Sequence, residues 1–492
     1  MEKASHLYKR PYFKIVLIVI FIFALKSNSA WVQHRVIDGE FFVFNYPKSV
    51  PFMWQYDRDA RIELSSAAFF PELYRTHPTL ISRPTYQLSA YLIGNSLGFF
   101  INPLLNSDFL HNKISIMASR FELKENIATE TFAQLETQYK DDAQRSISII
   151  KKLIYASIGF IIFKIFMYIL AGILMYHIIR DYSDESVALL SVALLLFTGY
   201  SINGIATYHT YELEFITPII IIFLFINLCK SYSIRKNILF SFIVGILMLG
   251  KANYAVYLAV LSFSFFIAGL NGFVIRGVVI SVMAHLLPWL AWNVFLEMQG
   301  MSIIGIINDP HPNTLALHPA DIIGRKILNR ELVSSTKVGG GQSQPGVAFI
   351  EQLFSNNPIH FFQIILAHTK KSLTVMFGSI WGLLSVAAIP LYKHRYKKEI
   401  LLFLFIFLIT TWIQAFIAFP YGPKGRTLID PSFIIFGFAS FTIYFLISSF
   451  ANKYKKGIIF LILFAHISIN IFAFVKLPWV HPFKQQGKYL SR

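Results

Sequence analysis

Apolar runs close to twenty residues long recur along most of this 492-residue chain. About 20 such residues are what a helix needs to cross the hydrocarbon of a bilayer. Away from water each backbone N–H and C=O must find a partner inside the segment, so unbroken apolar runs of this length are read as helices. The composition agrees. Charged residues make up 14% of the chain, against roughly 25% in soluble domains, and the mean hydropathy is +0.55. Apolar segments are read at 15–25, 149–179, 187–206, 215–228, 238–250, 254–270, 274–295, 373–391, 400–419, 433–450 and 458–475. The expected fold class is an all-α polytopic membrane protein of about eleven transmembrane helices.

Basic residues orient these segments. Lys230, Arg235 and Lys236 lie in one connection and Arg276 in another. Lys393, Arg395, Lys397 and Lys398 form a third, and Lys453, Lys455 and Lys456 a fourth. All four fall on one side if the segments alternate, and excess Lys and Arg mark the cytoplasmic side. The first segment then runs outward. It reads as an uncleaved signal anchor, with a cleaved signal peptide ending in Ser27-Asn28-Ser29-Ala30 as the alternative. The moderately apolar stretch 84–105 carries Gln87, Asn95, Ser96 and Asn102. Alternation requires it to be an interfacial or partly buried helix, not a span. Two large external loops result, 31–148 and 297–372. The chain divides into an N-terminal transmembrane module (1–296), an external loop that is a candidate lid (297–372) and C-terminal helices with a basic tail (373–492). Against this alternation, Lys151, Lys152, Lys370 and Lys371 fall outside, where they can meet anionic lipid.

Several functions are excluded. The net charge of +18 sits at span ends and forms no basic face with interleaved aromatics, so nucleic acid is not a partner. The lone cysteine, Cys229, forbids an internal disulfide and a cysteine metal cluster. Gly339-Gly340-Gly341 has no Lys-Ser or Lys-Thr at phosphate-loop spacing. The histidines form no HExxH pattern.

Polar residues capable of chemistry are confined to a few external positions. Tyr56-Asp57-Arg58-Asp59-Ala60-Arg61 follows the first span. Asp57 and Asp59 share a face if this stretch is extended, and either could take a proton from a nucleophile or hold a divalent cation. The plain alternative is a solvated turn with weak local ion pairs. Glu212 and Glu214 open the span 215–228 behind Thr207-Tyr208-His209-Thr210-Tyr211. Acids there also suit the positive end of a helix dipole. Arg83, Lys251, Lys424 and Arg426 are external cations able to hold phosphate, or lipid head groups.

Together these residues resemble the GT-C superfamily of polytopic glycosyltransferases that use polyprenyl-phosphate-linked sugars. The early external acid (Asp57 or Asp59), His77-Pro78 and Arg83-Pro84 before an amphipathic segment, and the second acid (Glu212 or Glu214) are similar to that family's plan. Lys251 in Leu249-Gly250-Lys251, the run from Ala206 to Glu212 and Gly425-Arg426-Thr427-Leu428-Ile429-Asp430-Pro431 resemble elements of its lipid A aminoarabinose transferases. Protein mannosyltransferases lie in the same branch. The second acid is Glu where Asp is commoner, and Arg-Pro replaces Lys-Pro. The Trp-Trp-Asp motif of oligosaccharyltransferases is absent.

The resemblance implies a GT-C-like fold with juxtamembrane helices in the first external loop. It implies sugar transfer from a polyprenyl-phosphate donor to a glycan, lipid or protein acceptor at the outer face of a bacterial inner membrane. Asp57 or Asp59, with a lean to Asp59, would be the base. Arg58, Arg83, Lys251, Lys424 and Arg426 would offset charge on the leaving phosphate. Glu212 or Glu214 would hold the acceptor, or a divalent cation if one is used; no other cofactor is implied. Tyr56, Tyr86, Tyr208 and Tyr211 would stack on sugar. The alternatives are a flippase or secondary transporter of a lipid-linked or anionic substrate, and an O-antigen polymerase or ligase.

Overall fold

The computed structural model describes residues 10–29, 44–45, 63–64, 66–70, 84–118, 122–123, 142–205, 216–250, 274–298, 379–392, 432–448 and 452–476, with isolated positions at 366, 369–370, 373–374, 377, 401, 404 and 450. The described elements are α1 (Pro11–Ser29), β1 (Phe44–Asn45), α2 (Pro84–Leu105), α3 (Asp108–Ala118), β2 (Glu122–Leu123), α4 (Asp142–Arg180), α5 (Glu185–Leu196), α6 (Gly199–Gly204), α7 (Ile216–Lys230), α8 (Ile234–Met248), α9 (Val274–Met298), α10 (Ile380–Tyr392), α11 (Ser432–Ile447) and α12 (Asn452–Lys476). The described residues are helical apart from one short antiparallel pairing, Phe44 with Leu123 and Asn45 with Glu122, within the first loop. Three described helices are long and apolar enough to cross a membrane: Pro84–Leu105, Ile147–Arg180 and Ile275–Leu296. The expected segments 254–270 and 400–419, and the candidate lid, lie essentially outside the described residues.

The axis of the molecule is α4. Its 39 residues rise about 58 Å at 1.5 Å each, nearly twice the roughly 30 Å of a bilayer core. Around its C-terminal end α1, α5 and α7 bring their charged ends. Tyr12 Oη meets His177 Nε2 at 3.0 Å, Lys14 pairs with Glu185 at 3.7 Å, and Lys230 forms an ion pair with Asp181. From this charged end α1 and α5 run antiparallel to α4, with Phe21 against Phe197 further along. Helix α7 runs parallel to α4 and finishes beside Asp181.

Caps set the breaks between helices. Asp184 accepts from the Val187 amide at 2.9 Å and starts α5. The expected single span 187–206 is two helices. Thr198 ends the first and caps the second, accepting from the Ser201 amide at 3.2 Å. Ser201 Oγ donates back to Leu195 O at 3.0 Å. These hydroxyls satisfy backbone groups that a break would otherwise leave open in an apolar core. Ser233 caps α8 in the same way, through the Lys236 amide at 3.2 Å, so α8 begins four residues before the expected 238.

Two parallel pairs bear on the alternation read from the sequence. Asn237 Nδ2 donates to Gly277 O at 3.1 Å, and a Cβ on Gly245 would fall 2.5 Å from His285 O. Helices α8 and α9 are therefore parallel. Trp381 meets Phe436 at 5.9 Å between ring centroids, and Thr442 Oγ1 donates to Leu384 O at 2.6 Å, so α10 and α11 are parallel too. The chain that joins each pair, 251–273 and 393–431, lies essentially outside the described residues. On the far side of the core, His466 Nε2 donates to Leu194 O at 2.9 Å and docks α12 on α5.

Helix α2 packs antiparallel on the N-terminal half of α4. Tyr86 faces Phe163. Tyr155 Oη donates to Asn102 Oδ1 at 3.1 Å, and Lys151 Nζ donates to Asn106 Oδ1 at 2.6 Å. Small residues let the two backbones touch. A Cβ on Gly94 would lie 2.2 Å from Tyr155 O, and one on Gly159 only 2.0 Å from Ala90 O. Ala90, Gly94 and Gly98 recur every fourth residue, the spacing of close helix crossings in membranes. Phe163 lies about 25 Å along α4 from Arg180. Helix α2 starts at that level and runs away from the charged end along the N-terminal half of α4. Its length and composition would permit a crossing, and among the described residues it packs along α4 and meets the first turn of α7 through Tyr86. Phe99, Phe100, Leu104 and Phe109 are exposed at its far end and on α3.

Candidate functional site

The described residues nearest the predicted site meet at Tyr86. Its side chain is 1% exposed. Its hydroxyl shares a hydrogen bond with Thr217 Oγ1 at 3.2 Å, and its ring leans on Phe163. A Cβ on Gly250 would fall 2.6 Å from Tyr86 Cε2, so only glycine permits this approach. Next to it, Thr85 Oγ1 donates to Ile246 O at 2.7 Å. The first turn of α2, the first turn of α7 and the end of α8 are thereby held together. Arg83 lies three residues before Tyr86, Glu214 three before Thr217, and Lys251 directly after Gly250.

A second contact belongs to the same end of the bundle. Lys164 is 1% exposed and its Nζ donates to Gly204 O at 3.1 Å. One turn on, the buried Tyr168 hydroxyl donates to Ser201 O at 3.2 Å. Both acceptors are carbonyls in α6, after which the chain continues to Tyr208, Tyr211 and Glu212. The early acids have a described neighbour as well. Glu63, four residues after Asp59, is 8% exposed, and Phe70 stands in an aromatic cluster. The Phe70 ring lies 5.3 Å from Tyr91 and 6.0 Å from Phe295 in stacked geometry, while Trp292 stacks on Phe295 at 5.2 Å. Lys152 Nζ lies 5.3 Å above the Phe69 ring. The segment 63–70 is so fixed against α2, α4 and α9.

Of the residues read as a site, Tyr56, Asp57, Arg58, Asp59, Arg83, Tyr208, Tyr211, Glu212, Glu214, Lys251, Lys424 and Arg426 lie outside the described residues. Tyr86 is described, and as a buried, hydrogen-bonded ring it serves as a structural node. The flanks of Arg83, of Glu214 and of Lys251 converge on it. The flank of Lys424 and Arg426 is α11, which packs on α5 and α10. Among the described residues no group of three or more His, Cys, Asp or Glu could hold a metal ion; the four candidate acids lie outside that set.

Lys164 is the residue that the sequence reading passed over. It is the one Lys or Arg between Lys152 and Arg180. An ionisable group inside an apolar span is a signal of function in itself, and it was legible from the sequence.

The described residues define a predominantly helical protein with three helices long and apolar enough to cross a membrane. No model of a known protein family matches the chain, and no curated protein matches it.

Proposed function

We propose that this protein is a polytopic membrane glycosyltransferase. It moves a sugar from a polyprenyl-phosphate donor to a glycan, lipid or protein acceptor at the outer face of the plasma membrane, in the bacterial inner-membrane setting. The supporting observation is the junction at Tyr86, where the described flanks of a candidate phosphate cation (Arg83), a second acid (Glu214) and a further cation (Lys251) are held together. Transfer of a sugar off a lipid phosphate needs these types of group in one place. A carboxylate must take the acceptor proton, and cations must meet the charge growing on the departing phosphate. In this reading Asp57 or Asp59 is the base. Arg58, Arg83, Lys251, Lys424 and Arg426 supply the phosphate cations. Glu212 or Glu214 orients the acceptor or a divalent ion. The exposed Phe99, Phe100 and Phe109, with Lys113 above the Phe109 ring at 4.2 Å, suit a hairpin at a bilayer surface.

The test uses membranes containing the full chain and a panel of radiolabelled polyprenyl-phosphate hexose and pentose donors. Asp57→Asn, Asp59→Asn and the double variant are compared at equal expression. Loss of a general base lowers transfer by about 100-fold or more. Undiminished transfer in the double variant refutes the base assignment.

A transporter or flippase is the second reading. It is favoured by Lys164, His285 and His466, ionisable groups buried on apolar helices, since transporters place such groups inside the membrane. Movement of the lipid-linked donor across proteoliposomes, surviving the double variant and without transfer in the parent, selects that reading.

A further inference from the structure

We infer that the elbow joining α2 to α3 is a docking surface for anionic phospholipid, set in the head-group layer opposite the Asp181 end. No donor or acceptor enters this surface, so it is independent of the glycosyltransferase reading. On α4, Lys151 lies 29 residues before Arg180, a rise of about 44 Å at 1.5 Å each. A bilayer with both head-group layers measures roughly 40–45 Å. The ion pair of Asp181 with Lys230 and the contact of Lys151 with Asn106 in the elbow are thus one bilayer apart. With the first in one head-group layer, the second falls in the other.

The side chains at that end suit a lipid interface. Phe99, Phe100 and Leu104 stand on the last turns of α2 at 82%, 73% and 64% exposure. On α3, Ile114 is buried and Leu110 packs against the core. Phe109, Lys113 and Ile116, spaced four and three residues apart, form the exposed stripe of α3. Lys113 Nζ lies 4.2 Å above the Phe109 ring. A lysine laid along an apolar side chain keeps its stem out of water and its ammonium in it. An exposed apolar patch with a polar rim marks an interaction site. Charge selects the occupant. Lys113, Lys151 and Lys152 gather at this end, Lys152 above the Phe69 ring. Among the described residues none of the three pairs with a carboxylate. A second copy meeting this surface about a two-fold axis would bring the same lysines face to face. Anionic head groups neutralise them instead. Lys151 and Lys152, which alternation places on the side poor in basic residues, thereby acquire a role.

The test uses the full chain with Cys229→Ser, which removes the lone cysteine. Phe109→Cys then carries an environment-sensitive fluorophore. The protein is reconstituted in phosphatidylcholine vesicles holding a rising fraction of either brominated phosphatidylglycerol or brominated phosphatidylcholine, with bromine near the head of the acyl chain. Both lipids should quench the label. The anionic one should reach half-quenching at a mole fraction at least about fivefold lower, the enrichment expected of one lysine at an anionic surface. Lys113→Gln, Lys151→Gln and Lys152→Gln together should abolish that preference and leave quenching by the zwitterionic lipid unchanged. Ile116→Cys, on the same stripe, takes the label if the Phe109→Cys protein fails to insert. Quenching by neither lipid puts the elbow in water or against protein and overturns the docking. Equal quenching by both in the parent refutes the choice of anionic lipid, and a preference that survives the triple variant refutes the part given to the lysines.

Discussion

Tyr86 and Thr217 touch through their hydroxyls at 3.2 Å although 131 residues separate them. This bond joins the start of α2 to the start of α7, so it links the flank of Arg83 to the flank of Glu214. Tyr86→Phe removes the bond and leaves the ring in place, at a cost of about 1 kcal/mol. Thr217→Val removes the same bond from the other side, at a similar cost of about 1 kcal/mol. The double variant should cost less than the sum, because the second change removes a group that has already lost this partner. Thermal inactivation half-lives of the four proteins in detergent measure the coupling, and strict additivity would show that the two hydroxyls do not interact.

The crossing of α2 and α4 makes opposite predictions for glycines. Gly94 and Gly159 have backbone oxygens 2.2 and 2.0 Å from where a Cβ would stand. Gly159→Ala must push the helices apart, and overpacking of this kind costs about 1–3 kcal/mol. That outweighs the gain of about 1 kcal/mol in helix propensity. Gly457 in α12 has nothing within 4 Å of its Cβ position. Gly457→Ala should therefore stabilise the protein by up to about 1 kcal/mol. Monodispersity after a heating series reads both. A stabilised Gly159→Ala protein would mean that α2 and α4 do not pack this closely.

These contacts separate what a sequence can disclose from what it cannot. Most helices were legible, because apolar runs of the right length have few other solutions. The joining of the flanks of Arg83, Glu214 and Lys251 was not legible, since it depends on packing between Tyr86, Thr217 and Gly250, each unremarkable in its own segment. The break at Thr198-Gly199 was marked by its capping residue but masked by the continuous hydropathy on either side. Ala90, Gly94 and Gly98 announced a close helix crossing, yet they lie in a moderately apolar stretch that alternation assigned to the interface. Lys164 stood alone in an apolar run, while attention to Lys and Arg went to span ends, where they report orientation.

Orientation itself is testable at α2. The helix starts at the level of Phe163 and leads away from the end marked by Asp181 and Lys230. A reporter inserted at Asn106 should then face the side opposite one inserted at Ser231, beside Lys230. Alkaline phosphatase should be active at Asn106 and inactive at Ser231. Activity at Ser231 and none at Asn106 would make 84–105 a full crossing and would reverse the assignment of every later loop.

The α8–α9 pair depends on one buried amide. Asn237 Nδ2 donates to Gly277 O at 3.1 Å, and its Oδ1 accepts from Ser281 Oγ at 2.8 Å and from Ser241 Oγ at 3.3 Å. Polar contacts between membrane helices contribute about 0.6 kcal/mol on average and at most about 1.7. Asn237→Leu removes three together and leaves two hydroxyls to find other partners. Ser281 retains one, because it also donates to Gly277 O at 2.8 Å. The expected loss is thus about 1–2 kcal/mol, smaller than a simple sum, and Ser281→Ala should cost less than Asn237→Leu. Further along the pair, Gly245 meets the backbone of His285, so loosening at Asn237 should propagate toward Gly250 and Tyr86. The stability ranking of parent, Ser281→Ala and Asn237→Leu in detergent checks the network. Equal stability of all three would remove it as a determinant of how α8 reaches the Tyr86 junction.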